Sequence, residues 1–137
     1  MKKPQQIFHP LTEDNLKLFA QLYCGESEEC AQLLRDLKKS RKGAMDDATI
    51  GRVIIQYKDK LDFLDCAEKQ FNKWLGIGNP NKVQTLEIQR LVSEVEKTRK
   101  IVHEVLSLSK ELEKVTIEKL MAKSDLELAL DFLQNPR

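Results

Sequence analysis

RLVSEVEKTRKIVHEVLSL, residues 90–108, spaces apolar side chains three and four positions apart, with charged residues between them. At ~100° per residue this spacing gathers Leu91, Val95, Val102 and Val105 on one helical face. The row extends both ways as Ile88, Leu91, Val95, Thr98, Val102, Val105, Ser109 and Leu112, in steps that alternate three and four. Such a heptad row is a seam for a neighbouring helix. Neither Gly nor Pro interrupts residues 81–135, so the helix is expected to run from about Lys82 to about Ala122. Unbroken, it would be roughly 60 Å long at ~1.5 Å per residue.

A matching seam lies upstream: Ile50, Ile54, Tyr57, Leu61, Leu64, Phe71 and Leu75, with Glu68 as the single charged interruption. The helix that carries it is expected over Asp47 to Leu75, with Gly76 as its stop and GIGNPN (76–81) reversing the chain. The two seams then face each other in an antiparallel hairpin. Glu68, Thr98 and Ser109 are polar positions that can set register or oligomeric state. Val92, Ile101, Leu106, Leu108, Val115 and Ile117 stand beside the later seam rather than on it. So wide an apolar arc requires at least two neighbours, from the same chain or from a second copy.

Outward from the hairpin, Thr12 is the expected N-cap of a first helix, with Glu13 and Asp14 in its first turn and Gly25 beyond its end. Its buried stripe is Leu16, Phe19, Ala20 and Tyr23. A second helix is expected to start at Ser27, bury Cys30, Leu33, Leu34 and Leu37, and finish in cations before Gly43. At the other end, Ser124 and Glu127 fit a capping box for a last helix, DLELALDFL (125–133), which is apolar on nearly all sides. The expected fold class is therefore all-α, one domain in all. It comprises an N-terminal extension (1–10), two short helices (11–45), a long antiparallel helical hairpin (46–123) and a short terminal helix with its tail (124–137).

Composition narrows the function. Charged residues make up 33% and aromatics 6% of 137 residues, proportions that suit long solvent-facing helices. Basic and acidic residues number 23 and 22, so no global field draws the chain to nucleic acid or acidic membrane. No segment approaches the ~20 apolar residues that span a bilayer, and MKKPQQIF has no apolar run of the signal-peptide kind. Cys24, Cys30 and Cys66 match no CxxC spacing and read as reduced thiols, which places the expected location in the cytoplasm.

Catalytic patterns are missing. His9 and His103 have no metal-motif neighbours, and His9 with Cys24 and Cys30 makes only an irregular three-ligand set. GIGNPNK (76–82) lacks the ending and preceding strand of a phosphate loop. The carboxylates sit beside cations, as in Glu94/Lys97, Glu96/Lys100 and Glu111/Lys114, which is ordinary helix-face pairing. The expectation is no enzyme, no metal and no cofactor.

Three binding roles remain. The first is an oligomerising helical adaptor or scaffold whose partner is a second copy, another protein, or both. Its surface would be built from Leu126, Leu130, Phe132 and Leu133 of the last helix with Leu108 and Val115 of the long one. The second is nucleic-acid binding through the cations of RDLKKSRKG (35–43), namely Arg35, Lys38, Lys39, Arg41 and Lys42. LTEDNLKLFAQLY (11–23) resembles the first helix of the helix-turn-helix region in bacteriophage terminase small subunits, over about a tenth of the chain. That resemblance implies a DNA-binding assembly factor with a ring-forming helical segment. The residues that follow depart from the family, with no short alanine- and glycine-marked turn leading to a recognition helix. The third role is a chaperone or immunity-type protein that docks DLELALDFL into a partner's groove.

Overall fold

The computed structural model describes residues 8–40, 43–122, 127, 130, 133 and 134. Five α-helices and no strand occur among them: α1 (Glu13–Leu22), α2 (Glu26–Lys39), α3 (Asp47–Ile77), α4 (Lys82–Glu113) and α5 (Ile117–Met121). The fold is an all-α helical bundle. The two expected seams meet: Ile50, Ile54, Tyr57, Leu64 and Phe71 of α3 are buried with Ile88, Leu91, Val95, Val102 and Val105 of α4. Thr98 and Ser109 are buried on the same line, and the Thr98 hydroxyl donates to the Glu94 carbonyl at 2.8 Å. Glu68 does not break the seam because Arg99 reaches across from α4. Its guanidinium donates to Glu68 at 2.7 Å and to Asp65 at 3.0 Å, locking the register of the hairpin.

The wide apolar arc of α4 finds its second neighbour inside the chain. α2 packs along α4 beside α3, with Cys30, Leu34 and Leu37 buried, and α1 touches the start of α4 more lightly. Leu106 is buried, while Val92, Ile101 and Leu108 pack against the core at its edge. α1 and α2 together form a third rod, bent at Tyr23–Gly25.

Several boundaries differ from the sequence expectation, each for a local reason. Gly25, not Ser27, is the N-cap of α2: its φ of 78° turns the chain in a way that favours glycine. Ser27 falls inside the helix, buried, and donates to Glu94 Oε2 at 3.3 Å. α3 runs through Gly76 to Ile77, where the Gly78 amide caps the Trp74 carbonyl. Earlier on the same helix, Ala67, Gln70 and Trp74 are buried beside the seam. They anchor the N-terminal extension: the His9 amide donates to Gln70 Oε1 at 2.7 Å, and the His9 carbonyl accepts from Gln70 Nε2 and Trp74 Nε1. The turn closes on Asn81, whose capping box with Gln84 starts α4.

The largest correction concerns the far end of α4. It stops at Glu113 rather than continuing to about Ala122. The next residues, Val115-Thr116-Ile117, are β-branched and stiff in a helix. They gain more from the loop before α3. Gly43 N donates to the Val115 carbonyl at 2.8 Å, Ile117 N to the Met45 carbonyl at 3.0 Å, and the Thr116 hydroxyl to Asp47 at 2.5 Å. The Glu118 carboxylate completes the clasp by accepting the Asp47 amide, one of the unpaired donors at the N-terminus of α3. Gly43 sits there with a φ of 77°, a left-handed conformation that favours glycine, and a Cβ would also press the Leu120 Cδ1 methyl at 2.8 Å.

Seam and clasp should respond differently to mutation. Leu91→Ala empties a fully packed seam position and should cost about 3 kcal/mol of global stability, measured by urea unfolding. Thr116→Val should cost about 1 kcal/mol and speed hydrogen exchange at Gly43 and Ile117, while amides in the middle of α3 keep their protection.

Candidate functional site

The bend between α1 and α2 shapes a groove in the surface. α2 and α3 both pack closely on α4 and much less on each other. A groove of about 730 Å³ is left where the end of α1 and the start of α2 face the middle of α3. Tyr57 and Leu64 of α3 are buried at its floor, with half-buried Tyr23 from the bend. Leu22 and Phe63 stand at its mouth, 55% and 56% exposed. A smaller depression of about 470 Å³ on the outer face of α3 shares Gln56 and Asp59 with the groove and adds Ile55, 57% exposed.

Charge is unevenly placed around this opening. Lys60 is engaged by Glu26 at 2.6 Å and lies 5.8 Å from the centre of the Tyr57 ring. Glu29 on α2 and Asp59 on α3 also line the groove, and neither makes an ion pair among the described residues. At the floor, burial holds groups neutral. It pushes the Tyr23 phenol up to about 12, helped by the nearby Glu26 carboxylate, and raises Tyr57 well above the ordinary tyrosine range, helped by Cys30. Burial also raises the Cys30 thiol, opposite to what an activated sulfur nucleophile needs.

The tyrosines are fixed by packing. Phe19 stacks on Tyr23 at 6.4 Å and meets Phe71 and Trp74 edge-on at 5.8 and 5.2 Å. The edge of the His9 ring joins this group at 5.9 Å from Phe19. One aromatic cluster thus anchors the N-terminal extension, the bend and the end of α3.

The residues singled out in the sequence are dispersed rather than gathered. Leu108 packs at the core edge, and Val115 is half-buried in the clasp. Leu130 and Leu133 are exposed, whereas Leu126, Phe132 and the expected cap Ser124 lie outside the described residues. In the basic cluster, Arg35 is held by Glu28 at 3.2 Å and Gln32 at 2.7 Å, and Lys38 and Lys39 are exposed on the last turn of α2. Arg41 and Lys42 lie outside the described residues. His103 and Cys24 are exposed, Cys30 is buried and Cys66 is half-buried. Among the described residues no three His, Cys, Asp or Glu side chains are grouped to hold a metal. No described helix is long and apolar enough to cross a membrane.

The groove escaped the sequence reading because its exposed walls fall outside the seam phase. Phe63 on α3 and Leu22 on α1 are apolar positions on outward faces. That phase mismatch was the available signal. Compared with protein-family models, curated proteins and solved structures, the chain matches none.

The buried phenols yield a pH prediction. Their neutral form is favoured in the fold, so Tyr23 contributes stability below pH 10 that is lost as pH climbs from 10 through about 12. The chain has two tyrosines, and both are raised. Tyrosinate absorbance of the folded protein should therefore show no step near pH 10, and the step should return in denaturant. A normal titration of either phenol in the folded state would contradict this geometry.

Proposed function

We propose that this chain is a non-enzymatic helical adaptor or scaffold that works through protein–protein contacts. The observation that carries the reading is the open groove between the α1–α2 bend and α3, where large apolar side chains stand exposed on both walls over a rigid aromatic floor. Exposed apolar surface with polar edges is the ordinary mark of a protein-binding site. The Tyr23 and Tyr57 phenols at the floor are held neutral, which suits binding better than acid–base or nucleophilic work. A chaperone or immunity-type role, in which the groove masks a helix of another protein, is one form of this reading. Self-association is another, supported by Ile77, Val83 and Leu86 at the hairpin tip, which are 60–77% exposed.

A DNA-binding assembly factor is the second reading. It draws on the three-residue, Gly25-containing connection between α1 and α2 and on Lys38 and Lys39. Against it, α2 begins with Glu26, Glu28 and Glu29, which would repel phosphates from the end of the helix that reads base edges in such motifs.

Sedimentation of the 15.9 kDa chain, alone and after tagged recovery from its source cell, tests the adaptor reading. A self-associated species or a stoichiometric protein complex is expected. A protein that stays monomeric and is recovered with no protein partner, or with nucleic acid alone, would overturn it.

A further inference from the structure

We propose that the groove receives the apolar face of an amphipathic helix flanked by lysine or arginine and presented by another protein. The inference rests on the adaptor reading and names the chemistry of its partner. Two exposed apolar side chains define the seat: Leu22 at the end of α1 on one wall and Phe63 of α3 on the other, 55% and 56% exposed. Between them Tyr57 and Leu64 form a buried floor. A helix laid along this floor would cover both side chains in the helix-in-groove manner.

Charge selects the occupant. Glu26 and Lys60 neutralise each other at 2.6 Å. Glu29 on one wall and Asp59 on the other make no ion pair among the described residues, so the groove carries two carboxylates without a paired cation. Arg52 lies in the adjoining depression, which Asp59 also lines, but forms no ion pair with it; its guanidinium donates instead to the Thr49 hydroxyl at 3.5 Å. An incoming helix with basic flanks satisfies both carboxylates, and one with acidic flanks meets like charge on each side. This disfavours the apolar end of the chain itself, or of a second copy, because DLELALDFL carries Asp125, Glu127 and Asp131. It also disfavours nucleic acid and anionic lipid.

The test uses the full chain and two synthetic helical peptides with the same leucine stripe, one flanked by lysine and the other by glutamate. Amide chemical shifts would be followed by NMR. The lysine-flanked peptide should bind at least tenfold more tightly, with shifts centred on Leu22, Tyr23, Tyr57 and Phe63. The paired change Glu29→Lys and Asp59→Lys should reverse the preference. Phe63→Ser, at an exposed position, should abolish binding while leaving the helical circular dichroism intact. Equal binding of the two peptides, no binding of the lysine-flanked one at millimolar concentration, or shifts confined to the hairpin tip would each overturn the proposal. In any of those cases, self-association or a recovered protein complex would still stand, which separates failure of this site from failure of the adaptor reading.

Discussion

The pairing of two heptad rows, Ile50 to Leu75 on α3 and Ile88 to Leu112 on α4, is the constraint from which the remaining contacts follow. Helices of 31 and 32 residues draw most of their stability from an apolar face against a partner rather than from intrinsic propensity. Antiparallel packing satisfies both faces at once, and the Arg99 bridge to Asp65 and Glu68 holds one register. Once that register is set, the leftover arc of α4 presents a second face. α2 covers it with Cys30, Leu34 and Leu37, so the surplus apolar surface on α4 is largely hidden within one chain.

Both ends of this bundle are closed by polar devices set into apolar surroundings. At the tip, Gln70 and Trp74 bind the backbone of His9 while the Phe19, Phe71 and Trp74 rings interlock. At the opposite end the clasp of Gly43, Met45, Asp47, Thr116 and Glu118 ties the chain after α4 to the start of α3. Buried polar groups are costly when unpaired, so each of these bonds favours a single arrangement of the segments it joins. The bend at Gly25 is the exception to this closure. It lets α1 follow the aromatic cluster and α2 follow α4, and the groove opens where the two directions part.

That opening explains how a stable bundle can keep a binding surface. The floor is part of the core and cannot easily collapse, since Tyr57 and Leu64 are packed from below. Leu22 and Phe63 sit above it with more than half of their surface in water, an arrangement that a partner relieves. Rigid aromatic anchors at a preformed site also keep the ordering cost of binding low.

The helical class, the hairpin and the seam residues were legible in the sequence, because periodicity is a local property that survives whatever the chain packs against. Thr12 as a cap and the cations at the end of α2 were legible for the same reason. The end of α4 was not. Val115, Thr116 and Ile117 hinted at a break, but only the proximity of Gly43 and Asp47 made leaving the helix favourable. Gln70 and Trp74 were missed because their partner, the backbone of His9, lies more than sixty residues away. The sequence by itself determined which faces must be buried, since water rejects an apolar stripe in any context. Only the tertiary structure decided where burial stops. The groove is a gap between α2 and α3 held apart by their common support α4, and a gap between two elements is written in neither of them.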